Sequence, residues 1–199
     1  MTIKSTKRYK ELQKRINQLR KHFVKGFESR NITDFSNRQM DLVRAFRVLC
    51  HAEIEAYFEG MAMELLLNAK RKWDIYHKAN ITIACLFAHY QKIETNASTS
   101  TKIYQVINKF ERDRIEQNNG IKEQNLVKLF VPLGIDKDDI DATWLATIDS
   151  YGSGRGTVAH TSASTQQPID INTEIQTVGF ILQGIQQLEM KIIQILKAK

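Results

Sequence analysis

Proline is nearly missing from this 199-residue chain. It has 2, beside 9 glycines, so little interrupts a helix once one has begun. Cysteine is equally scarce. Cys50 and Cys85 stand alone without paired spacing, which excludes a disulfide framework and reads as two reduced core residues of a cytosolic protein. Cys85 and His89 sit at i, i+4, a legal spacing for two metal ligands. No second pair follows, so neither a metal nor any other cofactor is expected. No apolar run approaches the roughly 18 residues of a membrane span. The N-terminal MTIKSTKRYKELQKR is charged throughout and has no apolar stretch of the kind a secretory signal needs. No glycine-rich loop follows a strand, no Ser–His–Asp set is recognisable, and Tyr9, Trp73 and Trp144 are too scattered for a base-stacking platform.

What is present is apolar residue at helical spacing and an excess of positive charge. The net charge of +7 is compatible with an anionic partner. The hydrophobic share of 42% and charged share of 26% fit one globular domain over residues 1–199, with a basic helix in the first 30 residues packed on it. Periodicity predicts an all-α bundle of five to seven helices. The first, about residues 4–29, carries Ile16, Leu19, Phe23 and Phe27 on one stripe. The longest, about 37–71, carries Val43, Phe46, Cys50, Ile54, Tyr57, Met61 and Leu65. Others are expected at about 76–92, 102–117 (stopped by Asn118-Asn119-Gly120), 121–131 and 138–150. The last, about 173–197, repeats Ile175, Val178, Ile181, Leu182, Ile185, Leu188, Ile192 and Leu196.

The stretch SYGSGRGTVAHTS at 150–162 sets Arg155 and His160 among Gly152, Gly154 and Gly156. On a regular helix a five-residue step turns about 140°, which separates the two side chains. Three glycines predict a bend instead, and a bend can bring guanidinium and imidazole to one pocket. A permanent cation beside a group that titrates near neutrality suits work on a phosphodiester. As a bare pattern the pair is weak: Arg15/His22, Arg44/His51 and Arg71/His77 have similar spacing, and chance gives about one match. A purely structural arginine and a helix-capping histidine are the alternative.

RGTVAH, taken with RAFRVLCHAEIEAYFEG at 44–60, resembles the HEPN superfamily of helical domains, closest to its RiboL-PSP-HEPN branch of toxin–antitoxin and restriction-type systems. The signature is Arg, four to six residues, then His, late in the chain. An acid followed by an aromatic stands on an earlier long helix, matched here by Glu55-Ala56-Tyr57. The likeness spans about residues 38–197. One departure is Gly156, where many members carry Asn, Asp or His. The resemblance implies a metal-independent endoribonuclease acting as a homodimer, in which the Arg–His motifs of two domains form one composite site. It gives Arg155 and His160 the catalytic roles, with Glu55, Gly156 and Thr157 in support. The expected partners are RNA, a second copy, and a cognate antitoxin or defence-system protein, without a membrane.

Other residues leave alternatives open. Glu55 can pair with Arg155 or, at i, i+4, with His51 on an exposed face. Glu53 is the competing acid. Arg44, Arg47 and His51 form a basic edge that contacts phosphate or is merely solvated. Ser153, Thr157 and Thr161 can donate to a phosphate or only cap a broken helix. The rival functional readings are a non-catalytic RNA-binding or regulatory module, and a helical protein-interaction dimer.

Overall fold

The computed structural model describes residues 6–28, 30–90, 96–160 and 167–197; the side chains of residue 32 and of 157–160 lie outside that description. Among the described residues there are seven α-helices and no strand. They are α1 (Lys7–Phe23), α2 (Asn37–Tyr76), α3 (Ile81–His89), α4 (Thr99–Phe110), α5 (Glu123–Phe130), α6 (Ala142–His160) and α7 (Ile171–Lys197). None is long and apolar enough to cross a membrane. The all-α architecture expected from the periodicity is the one observed.

Local chemistry sets most boundaries. Thr6, Asn80 and Ser98 each place a side-chain oxygen on an amide of the first turn of α1, α3 and α4, satisfying a donor the helix itself leaves free. Asp170 does the same for α7, its Oδ1 accepting from the Thr173 amide at 2.7 Å. α1 ends at Phe23, short of the expected 29, because Gly26 takes φ +101° and turns the chain. α2 runs on to Tyr76, beyond the expected 71, and stops where His77 adopts φ 51°. α4 continues into one π-helical turn, Glu111–Ile115, that the periodicity did not announce.

The chain divides into two compact units. The first comprises Met1–Tyr57, Gly120–Lys122 and Ala142–Gln186. Its core takes Leu12, Ile16 and Leu19 from α1, Val43, Phe46, Cys50 and Ile54 from α2, Trp144, Ile148 and Tyr151 from α6, and Val178, Ile181 and Ile185 from α7, all buried. Two aromatic side chains that enter this core find partners for their polar atoms: the Tyr9 hydroxyl donates to the Leu182 carbonyl at 2.8 Å, and the Trp144 indole N–H to the Ile181 carbonyl at 3.0 Å. Gly184 makes the second contact possible, since a Cβ there would stand 2.2 Å from the Trp144 ring.

The second unit comprises Phe58–Asn119, Glu123–Asp141 and Gln187–Lys199. Phe58 meets Phe130 edge to face at 6.0 Å. α3 packs against the short turn Val131–Leu133, where the buried Thr82 hydroxyl donates to the Leu133 carbonyl at 3.1 Å. Glu59 accepts from the Asn118 side chain at 2.9 Å, and Lys191 pairs with Asp139 at 3.0 Å.

The glycine segment is the chief departure. α6 is an unbroken 19-residue helix through Gly152, Gly154 and Gly156, and the expected bend does not form. The glycines serve close approach instead. A Cβ at Gly152 would lie 3.0 Å from Lys122 Cγ, and one at Gly154 would lie 3.0 Å from Arg47 Nη1. Each glycine costs about 1 kcal/mol of helix propensity relative to alanine. Burial of Trp144, Leu145, Ile148 and Tyr151 earlier in the same helix offsets that loss.

Candidate active site

Three residues of α2 at successive turns, Arg47, His51 and Glu55, look toward α6, α7 and residues 120–122 within the first unit. Arg47 is held most firmly. Its Nε donates to Glu174 Oε1 of α7 at 2.9 Å, and its Nη2 makes a short second bond to Oε2. The Tyr151 hydroxyl of α6 donates to the Arg47 carbonyl at 3.2 Å, and the guanidinium lies 6.0 Å from the Tyr151 ring centre. Burial opposes the Arg47 charge, and the paired carboxylate more than restores it. A cavity of about 770 Å³ opens beside this pair, with Thr143, Thr147, Ser150 and Thr173 among its lining residues.

His51 is 2% exposed, so the expectation of a solvated edge does not hold for it. Burial first, and then the nearby Arg155 charge, bring its pKa down to about 4, which keeps the imidazole neutral at pH 7. Its Nδ1 is 3.5 Å from Glu55 Oε2 and makes no hydrogen bond. The i, i+4 neighbours weighed from sequence are therefore adjacent on a buried face, and with His51 neutral they form no ion pair. Glu55 also accepts a short hydrogen bond from the Gly120 amide, which Gly120 presents by adopting φ +122°. Glu53 points elsewhere, pairing with Arg15 of α1 at 2.8 Å.

Arg155 is brought to this cluster: it is close enough to depress His51, and its Nε is buried without a hydrogen-bond partner. No ion pair joins Arg155 to Glu55 among the described residues. His160 lies on the last turn of α6, its side chain outside the described residues. α6 is helical through both positions, so no broken turn separates Arg155 from His160. Ser153 is exposed on α6. Thr157 is on α6 with its side chain outside the described residues, as is the whole of Thr161. Arg44 pairs with Asp41 at 2.8 Å. Nothing lies within 4 Å of a Cβ built on Gly156, so a polar residue after the motif arginine would meet no obstruction. No group of three or more His, Cys, Asp or Glu residues is placed to hold a metal among the described residues.

Glu174 escaped the sequence reading, which began the last stripe at Ile175. A signal existed. Residue 174 precedes Val178 by four and Ile181 by seven, which puts a carboxylate on the buried stripe of α7, where only a paired charge is tolerated.

No curated protein and no solved structure gives a significant match. A model of the RiboL-PSP-HEPN family matches residues 8–194, nearly the whole chain, with both Arg155 and the Arg47–Glu55 face of α2 inside the matched span. An all-helical fold and a family match of that extent converge: the chain belongs to the RiboL-PSP-HEPN family.

Proposed function

We propose that the protein is a metal-independent endoribonuclease that works as a homodimer in a toxin–antitoxin or other defence setting, with Arg155 and His160 as its catalytic residues. The observation that carries the reading is the state of Arg155. A buried guanidinium nitrogen without a partner among the described residues, beside a neutral histidine, leaves a donor that those residues do not satisfy. A phosphate oxygen is such an acceptor, and guanidinium matches it with a fixed fork of donors.

In the reaction the ribose 2′-hydroxyl attacks the adjacent phosphorus. One histidine accepts the proton from that hydroxyl, and a proton is delivered to the departing 5′-oxygen, giving a 2′,3′-cyclic phosphate and a 5′-hydroxyl. An imidazole can accept or deliver a proton, so His160 is the group assigned to these transfers. Arg155 stabilises the charge gathering on the non-bridging oxygens. The Glu174-bound Arg47 stands beside a cavity with room for a nucleotide, and Glu55 together with His51 shapes the surroundings of Arg155.

The test is incubation of pure protein with mixed RNA, with and without EDTA, followed by end-group analysis. Cyclic phosphate ends that persist in EDTA and vanish in His160→Ala are the expected result; cleavage that survives His160→Ala overturns the mechanism. The regular helix, together with Gly156 in place of a polar residue, favours one second reading, a non-catalytic RNA-binding module. Tight RNA binding with no cleavage is its outcome.

A further inference from the structure

The π-helical turn after α4 rearranges charge in the second unit. The Glu116 amide donates to the Glu111 carbonyl at 2.9 Å, an i+5 bond that inserts one extra residue into the turn. Arg112 is left outside, exposed and paired with Asp113 at 3.0 Å. Arg114 is turned inward to α3. Its Nη2 lies 3.4 Å from His89 Nε2, and its Nε is buried with no hydrogen-bond partner. Beside it the hydroxyl of Tyr90, a residue 9% exposed, is likewise buried; it faces the Arg114 guanidinium, with the Asp113 carboxylate also near, and its own proton has no acceptor within hydrogen-bond geometry among the described residues. Lys109 holds its ammonium 5.3 Å from the Tyr90 ring centre, and the His89 ring stands edge-on to the same ring at 4.9 Å.

Buried donors whose protons meet no acceptor are costly to leave unmet. Burial first, and then the Arg114 charge, lower the His89 pKa, so that ring offers a neutral nitrogen to Arg114 and adds no charge of its own. The acid nearest the cluster in sequence, Asp113, is engaged by Arg112. What the cluster lacks is an acceptor-rich anion reached from several directions at once. A tetrahedral phosphate meets that need better than a planar carboxylate, because Nε, a phenolic hydroxyl and an ammonium approach it from separate sides.

We propose that Arg114, the Tyr90 hydroxyl and Lys109 form a second nucleic-acid contact that grips a backbone phosphodiester of RNA, separate from the residues of the first unit that act on the scissile bond. The choice of RNA as the polymer rests on the ribonuclease reading; the phosphate site is read from the second unit alone. Such a grip fixes the strand without reading its bases.

The experiment uses full-length protein and a 2′-O-methyl RNA oligonucleotide, which cannot be cut by 2′-hydroxyl attack, with binding followed by fluorescence anisotropy across a KCl series. Arg114→Gln is expected to weaken binding about tenfold and to reduce the slope of log Kd on log [KCl] by about 0.7, the contribution of one phosphate contact on a single strand. Tyr90→Phe is expected to weaken binding about threefold with the slope unchanged. Both variants should keep the wild-type helical signal and melt close to wild type, since the Arg114 contact to His89 is long and exposed and phenylalanine keeps the Tyr90 ring. Unchanged affinity and slope in Arg114→Gln overturn the proposal, as does wild-type protein that binds no RNA. An equal loss of affinity for poly-glutamate identifies an acidic-protein site and overturns it too. Because nothing is cleaved, the two readings fail separately. A protein that cuts no RNA but grips it through Arg114 refutes the nuclease and keeps the site.

Discussion

Arg47 and Glu174 are 127 residues apart in sequence and meet as a two-pronged ion pair, with the Glu174 carboxylate only 2% exposed. The pair ties the middle of the chain to its last helix and orders one wall of the candidate site. Removing either partner strands the other as a buried charge, so Glu174→Gln and Arg47→Met should each cost about 3–5 kcal/mol. The double variant should recover much of that loss, because two neutral side chains of similar size leave no charge uncompensated. Urea denaturation of the four proteins in a double-mutant cycle measures the coupling.

Glycine positions in α6 and α7 should respond to alanine according to their neighbours. Gly156→Ala meets nothing within 4 Å and gains helix propensity, so it should stabilise by about 1 kcal/mol. Gly154→Ala sets its methyl 3.0 Å from a guanidinium held by Glu174 and should be neutral to mildly destabilising. Gly184→Ala places a Cβ 2.2 Å from the Trp144 ring and should cost about 3 kcal/mol or prevent folding. Thermal melts of the three variants rank them. Gly156→Asn also restores the polar residue that many family members carry after the arginine, and its cleavage rate should equal or exceed wild type.

His51 gives the protein a defined acid sensitivity. Its folded pKa of about 4 lies below the ordinary 6.5, so protonation favours the unfolded chain. The stability tied to neutral His51 is fully present above pH 6.5 and is lost as pH falls from 6.5 toward 4. The amount is on the order of 2 kcal/mol, somewhat under the full pKa difference because part of the ring's surroundings is polar. Subtracting the pH–stability curve of His51→Gln from that of wild type should isolate this fall. In wild type the His51 ring proton resonance should stay unshifted down to about pH 5.

The two neighbouring acids should separate cleanly under the proposed mechanism. Glu55→Gln still accepts from the Gly120 amide but removes a negative charge next to His51 and close to Arg155, and should reduce cleavage at least tenfold with the fold retained. Glu53→Gln breaks a half-exposed pair with Arg15, should cost under about 1 kcal/mol, and should leave cleavage unchanged. Initial rates on one RNA substrate decide between them.

Arg155→Lys should lower cleavage strongly while RNA binding falls little, since an ammonium supplies charge without the planar two-donor contact. His160→Ala should reduce the rate by about 10²-fold or more. Single-turnover kinetics with binding measured in parallel distinguish the two effects.

The apolar stripe of α2 was legible residue by residue: Val43, Phe46, Cys50, Ile54, Tyr57, Met61 and Leu65 are all buried. Periodicity works there because the helix needs no help from distant residues to choose its face. The glycines of α6 misled because their local preference is for bends, whereas Lys122 and Arg47, brought in by tertiary structure, decide what the backbone does. The π turn was illegible for a related reason: Glu111–Ile115 carries no glycine or proline to announce it. In the candidate site, order and spacing singled out Arg155 and Glu55, and the structure brings both near His51. The Arg47 ion pair could not be found that way, because Glu174 becomes significant only when α7 is laid beside α2.

The first unit is assembled from segments far apart in sequence, and this bears on the order in which it forms during synthesis. Arg47 leaves the ribosome long before Glu174, and the Tyr9–Leu182 contact closes across 173 residues. Contacts of such sequence separation form late. A nascent chain has already made Arg155 while Arg47 still lacks its counter-ion and α1 its anchor on α7. The first unit would thus stay unassembled until α7 has been made, and products truncated before α7 would carry Arg155 without Glu174 to brace Arg47.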